Sequence, residues 1–138
     1  MSGAFDPAAD GWRPMRGSAM PAGIGIPWAK RLETGWRYGF LTTSEHANPQ
    51  GAVHGGMLVT FFDHGLSMLA WEAAKRQPCV TVQINTHFLG AVEPGAFAEL
   101  DGEVTRRTRA LVFVRGLLRV EGREVAAADG IWRVLQST

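Results

Sequence analysis

The sequence predicts an α+β domain, one long helix packed against an antiparallel sheet. Two patterns carry this. Within residues 55–75, Met57, Leu58, Phe61, Phe62, Leu66 and Leu69 recur mostly three and four apart, the period of an amphipathic helix. One stretch before the helix and four after it have strand character and are separated by Gly- and Pro-bearing turns, giving the order strand, helix, four strands.

The elements follow in chain order. Residues 1–35 are expected to form an N-terminal arm, weakly structured or docking, and 36–138 a single domain. Within the first thirty residues, Pro7, Pro14, Pro21 and Pro27 and five glycines punctuate the chain, while Trp12 and Trp28 suggest that the arm packs somewhere. WRYGFLTT (36–43) reads as the first strand. SEHANPQGAVHGG (44–56) is a loop, with Asn48-Pro49 and Gly51 as turn signals. The helix over 55–75 ends in Ala-Ala-Lys-Arg ahead of Pro78. In CVTVQINTHFL (79–89), Val80, Val82, Ile84, Thr86 and Phe88 alternate with Cys79, Thr81, Gln83, Asn85 and His87. This predicts a half-buried strand with one apolar and one polar face. Glu93-Pro94-Gly95 turns into a strand over 96–104. ALVFVRGLLRV (110–120) suits a central strand, Glu121-Gly122-Arg123 turns, and 124–135 completes the sheet.

Composition narrows the function. Hydrophobic residues make up 46% and charged residues 20% of 138, a globular balance. The net charge of +1 argues against a nucleic-acid binder. One cysteine, Cys79, permits neither an intrachain disulfide nor a cysteine-based metal site, and His46, His54, His64 and His87 lack metal-motif spacing. No metal or cofactor is expected. The acidic start is unlike a secretion signal, and the most apolar run is broken by Asp63-His64. A cytoplasmic protein without membrane attachment is the expectation. Glycine is abundant, 17 of 138, and it suits places where backbone turns tightly or meets a ligand.

Asp63 falls in the middle of a largely apolar helix. Burying a carboxylate there is costly unless it is paired, and desolvation makes it a stronger base. The pattern equally allows Asp63 to lie on an exposed stripe with Ser67, paired to a surface arginine. His54-Gly55-Gly56 stands at the helix start, where backbone N–H groups lack internal partners and the dipole is positive. With no side chain in the way, the Gly55 N–H is placed to meet a carbonyl oxygen as an oxyanion donor; a plain glycine-rich helix entry is the alternative. Gly55 and Asp63 are eight residues apart, about 12 Å of helical rise. Two groups acting on one carbonyl must lie within a few Å of it. If both are catalytic, the site is best built from Gly55 of one chain and Asp63 of another across a two-fold axis.

Together, Asn48-x-x-Gly51-x-x-His54-Gly55-Gly56 and Asp63, nine residues after the histidine, resemble the hotdog-fold acyl-CoA thioesterases, in particular the phenylacetyl-CoA thioesterase (PaaI-like) group. The similarity runs on through TVQINTHFLGAVEPG, RRTRALVFVRGLL and VAAADGIW, about residues 36–135. It implies a long central helix wrapped by a curved antiparallel sheet, and dimers joined edge to edge, with a dimer of dimers expected. It implies hydrolysis of a thioester to a free acid and coenzyme A. Gly55 would supply the oxyanion N–H, and Asp63 of the partner chain would act as general base or nucleophile. Asn48 would fix the thioester carbonyl or the water. His54 would orient the loop or approach the sulfur, and the Thr81 hydroxyl would hold the water. Gln83 departs from the acid many relatives carry there, and His64 is not a hallmark of the group. Arg106, Arg107 and Arg109 suit coenzyme A phosphates under this resemblance, and a solvated turn without it. An acyl-CoA sensor on the same scaffold, or a hotdog enoyl-CoA hydratase or dehydratase, are the alternatives. The first needs no base, and the second needs a catalytic histidine with a carboxylate on a different motif, which is absent.

Overall fold

The computed structural model describes residues 4–17, 20, 21 and 23–135; the extreme ends of the expected arm and domain lie outside these. Seven antiparallel strands form one sheet around one helix. They are β1 (Arg13–Pro14), β2 (Trp28–Leu32), β3 (Gly35–Leu41), β4 (Cys79–Phe88), β5 (Phe97–Arg107), β6 (Leu111–Val120) and β7 (Arg123–Val134), with α1 (Gly55–Ala73) between β3 and β4. The spatial order is β1-β2-β3-β5-β6-β7-β4, so β4 is an edge strand. The α+β layout with a long helix in the embrace of the sheet is the one the sequence predicts.

Apolar periodicity explains the packing. Leu58, Phe61, Phe62, Leu66 and Ala70 of α1 are buried against Leu100, Val112, Val114, Leu118, Ala126 and Trp132 of the sheet. Phe61 and Phe62 are therefore core. Gly116 lets helix and sheet approach closely, because a Cβ there would meet Leu66 Cδ2 at 2.9 Å. The helix stops where Lys75 and Arg76 adopt φ of 56° and 65°. Glu121 and Gly122, at φ 50° and 79°, form the two-residue turn that matches the twist of a hairpin.

Two features differ from the sequence reading. The strand pattern begins earlier, since Trp28–Leu32 pairs along its length with Gly35–Leu41. Its apolar–polar alternation is masked by Lys30 and Arg31, whose cationic ends lie over the Trp12 and Trp36 rings. The arm before it docks through Phe5 and Trp12, which pack on Phe97. The second difference is a bulge in β4. Thr81 pairs with Trp132 and Gln83 with Ile131, leaving Val82 as an extra residue. Thr81 therefore does not share the face of Gln83, Asn85 and His87, as simple alternation predicts. It shares the helix-facing side with Ile84, Thr86 and Phe88, opposite Trp132, Gly130, Ala128 and Ala126. No described helix is long and apolar enough to cross a membrane.

Candidate active site

The loop before α1 is built by its own polar atoms. Asn48 Oδ1 accepts from the Gln50 and Ala52 N–H groups, both at 3.0 Å, and Gly51 turns at φ 87°. Asn48 therefore shapes the turn through its oxygen, and among the described residues its Nδ2 has no partner. His54 N–H donates to the His46 carbonyl at 2.8 Å, and the His54 carbonyl accepts from Met57 and Leu58. His54 is the N-cap of α1 but makes no side-chain cap, and the first turn holds no acid. The Gly55 and Gly56 N–H groups consequently have no partner among the described residues. Uncapped amides at the head of a 19-residue helix form an anion-directed donor pair.

Gly55 packs under the ring of Phe88, where a Cβ would lie 3.0–3.4 Å from three ring carbons. Phe88 and Leu89 are nonetheless exposed, at 54% and 55%. With Val53, Leu58 and Val92 they line an apolar groove of about 460 Å³ beside the helix head.

Asp63 lies two turns further on, half-buried, and accepts a 2.6 Å hydrogen bond from the Thr81 hydroxyl. One turn beyond, Ser67 Oγ accepts from Trp132 Nε1 at 2.8 Å. The polar stripe of the helix thus faces β4 and β7, and the partner of Asp63 is a threonine rather than an arginine. His64 points elsewhere, edge-on to Phe40. Burial holds its pKa below the usual 6.5, partly opposed by the Asp63 charge. The structure therefore brings Asp63 and Thr81 together, and Gly55 and Phe88 together, at two ends of one strand. Those ends lie roughly 20 Å apart along β4, and Gly55 and Asp63 themselves are separated by about 12 Å of helical rise.

Arg106 and Arg107 end β5, and Arg109 lies in the following turn; all three are exposed. Arg107 is near enough to Cys79, at the start of β4, to offset part of the rise that burial imposes on that thiol. His87 lies on the opposite sheet face in a cleft of about 580 Å³ shared with Asp101, Glu103, Arg115, Arg119 and Asp129. Asp101 is paired there with Arg37 and Arg119 and Glu103 with Arg115, while Asp129 accepts from Asn85 Nδ2. Sequence reasoning passed over His46, whose only signal was a place two residues ahead of Asn48. It is buried and central to the loop.

A long helix packed against a seven-stranded antiparallel sheet is the hotdog fold. Residues 50–127 match the family model of the thioesterase superfamily, and the chain belongs to that family. A Pseudomonas aeruginosa protein named "Putative esterase PA0474" is 32% identical over 91 residues, 65% of this chain and 68% of that one. The BH2602 protein of Bacillus halodurans, solved with CoA, superposes with a TM-score of 0.72 at 22% identity, over 80% of this chain and 74% of that one. A phenylacetic acid degradation-related protein of Ralstonia eutropha, titled a putative thioesterase, gives a TM-score of 0.68 at 25% identity, over 93% and 88%.

Proposed function

We propose that this chain is a homodimeric acyl-CoA thioesterase, and that each of its two sites joins the helix head of one subunit to the carboxylate of the other. The observation that carries this is the placement of both half-sites on one face of an unpaired edge strand. Asp63 is tied to Thr81, and Gly55 lies under Phe88. If two copies of β4 pair antiparallel about a two-fold axis near Ile84–Asn85, Thr81 of one lies beside Phe88 of the other. The Asp63 carboxylate then reaches the space in front of the partner's Gly55 amide. Val80 and Val82, 45% and 57% exposed on that edge, favour covering by a second copy.

The chemistry follows from the parts. A thioester carbonyl points its oxygen at the Gly55 N–H, and the acyl group lies in the groove of Leu58, Phe88 and Val92. Asp63, oriented by Thr81, takes a proton from water, whose oxygen attacks the carbonyl carbon. The amide stabilises the oxyanion. As that intermediate collapses the C–S bond breaks, and the thiolate takes the proton from Asp63. Asn48 Nδ2 and His54 border the carbonyl and the sulfur. Arg106, Arg107 and Arg109, at the Cys79 end of β4, lie beside the partner's helix head in such a dimer, where the phosphates of coenzyme A would be held. The CoA in the Bacillus halodurans structure supports this ligand class. No metal or redox group enters these steps, and the assembly proposed is a dimer of dimers. Thiol release from a panel of aryl- and fatty-acyl-CoA esters tests the reading. Turnover is expected with at least one ester and should be abolished in Asp63→Ala; full kcat in that variant would refute the role of Asp63.

A further inference from the structure

His46 is 2% exposed, and both of its ring nitrogens are engaged by backbone. The Thr43 N–H donates to Nδ1 at 3.0 Å, so Nδ1 carries no hydrogen and Nε2 is the donor. Nε2 in turn donates to the carbonyl of Gly23 at 2.8 Å. Gly23 belongs to the arm, where it sits at φ 92° in a turn closed from Ile24 N–H to the Pro21 carbonyl. Among the described residues this is the one hydrogen bond between the arm ahead of β2 and the loop 43–54. The ring also stands edge-on to Phe61, which stacks on Phe40, so its plane is fixed by the core.

The other end of His46 matters as much. Its carbonyl accepts the N–H of His54, and the next residue is Gly55. The path from the arm to the oxyanion amide is therefore short: Gly23 carbonyl, His46 ring, His46 carbonyl, His54, Gly55. Asn48 closes the turn between these residues, and Val53 N–H bonds to the Val92 carbonyl, but neither reaches the arm.

We propose that His46 is a positioning residue, a clamp by which the docked N-terminal arm fixes the loop that presents the Gly55 amide. This deepens the thioesterase reading and rests on it. Its consequence is that the arm is part of the catalytic scaffold. Misplacing an oxyanion donor acts on the transition state more than on ground-state binding, so the loss falls on kcat rather than KM.

The two ring nitrogens can be replaced separately. His46→Asn keeps an acceptor near the Nδ1 position for Thr43 but loses the reach to Gly23. His46→Gln keeps a donor near the Nε2 position for Gly23. The arm can be perturbed from its own side with Gly23→Ala, which places a Cβ at a φ that L side chains avoid. In the full-length chain, His46→Asn should lower kcat by about tenfold or more with KM within about threefold, and His46→Gln should recover most of that loss. Gly23→Ala should also lower kcat, and its effect should vanish in the His46→Asn background. Wild-type kcat in His46→Asn, or additive losses in the double variant, would overturn the proposal. Amide hydrogen exchange at Val53 and His54, whose N–H groups are bonded to the Val92 and His46 carbonyls, reads the clamp without turnover: it should quicken in His46→Asn and not in His46→Gln. Protected amides with unchanged exchange in His46→Asn would sink the clamp, whereas loss of the Asp63 role alone would leave that result standing.

Discussion

Mixing two inactive variants tests the shared site most directly. Gly55→Pro deletes the oxyanion N–H with little disturbance to the backbone. Gly55 is the first helical residue, a position proline favours. His54 already has φ −54° and ψ 136°, the extended conformation required before proline. The ring carbons that a new side chain would meet belong to the exposed Phe88, which is free to give way. Asp63→Ala removes the base and leaves the helix head intact. Removing one oxyanion donor costs roughly 10²- to 10³-fold in kcat, so each variant alone is near the floor of the assay. Co-refolded in equal amounts, the chains distribute as about one quarter, one half and one quarter, and every mixed dimer holds one intact and one doubly damaged site. Half of the dimers with half of their sites is about 25% of wild-type activity. Thiol release after co-refolding, with mixed dimers verified by a tag on one variant, measures this. If each site were built within one chain, as roughly 12 Å of helical rise argues against, the mixture would recover nothing. Activity no higher than that of the separate variants, with mixed dimers present, refutes the shared-site reasoning.

Three further outcomes are expected. Thr81→Val removes the 2.6 Å bond to Asp63 while keeping shape. A charge-assisted bond at a partly exposed site is worth of order 1.4 kcal/mol, so kcat should fall about tenfold and the melting temperature by a few degrees. Leu66→Ala empties a fully buried position that fills the space over Gly102 and Gly116; urea denaturation should show a loss of about 2–5 kcal/mol with a small change in slope. His64 is held below its ordinary pKa by burial, so the unfolded chain binds its proton first as the medium acidifies. The stability this gives is complete above about pH 6.5 and declines as pH falls from there toward the lower native value. Urea midpoints from pH 8 to pH 5 should show that decline, and His64→Gln should flatten it.

Most of the layered architecture was legible because local pattern and global packing agree. The helix announces itself through Leu58, Phe61, Phe62 and Leu66, all of which reach the core. Strand β6 reads as central because Val112, Val114 and Leu118 are buried against the helix. What escaped was set by contacts distant in sequence. Trp28–Leu32 carries Lys30 and Arg31, whose cationic ends lie over tryptophans supplied by the arm and by β3, so charge hid a strand. The face of Thr81 depended on an extra residue that no period-two count reveals. At the site, the two-chain arrangement proposed for Gly55 and Asp63 could be framed from spacing alone, since helical rise is fixed. His46 could not, because its partner Gly23 lies in a segment with no regular pattern.

The irregularity at Val82 also sets a rule of parity. Thr81 and Phe88 differ by seven positions, an odd number, and in an unbroken strand an odd separation sends two side chains to opposite sides. The one supernumerary residue turns that odd step into an even one. Paired in register without that irregularity, the same ten residues would turn either the threonine or the phenylalanine to the other face, whereas deleting Val82 would leave an even step and keep both on one side. The seating of one peptide unit outside the ladder, with no chemistry of its own, decides whether the two halves look toward the same space.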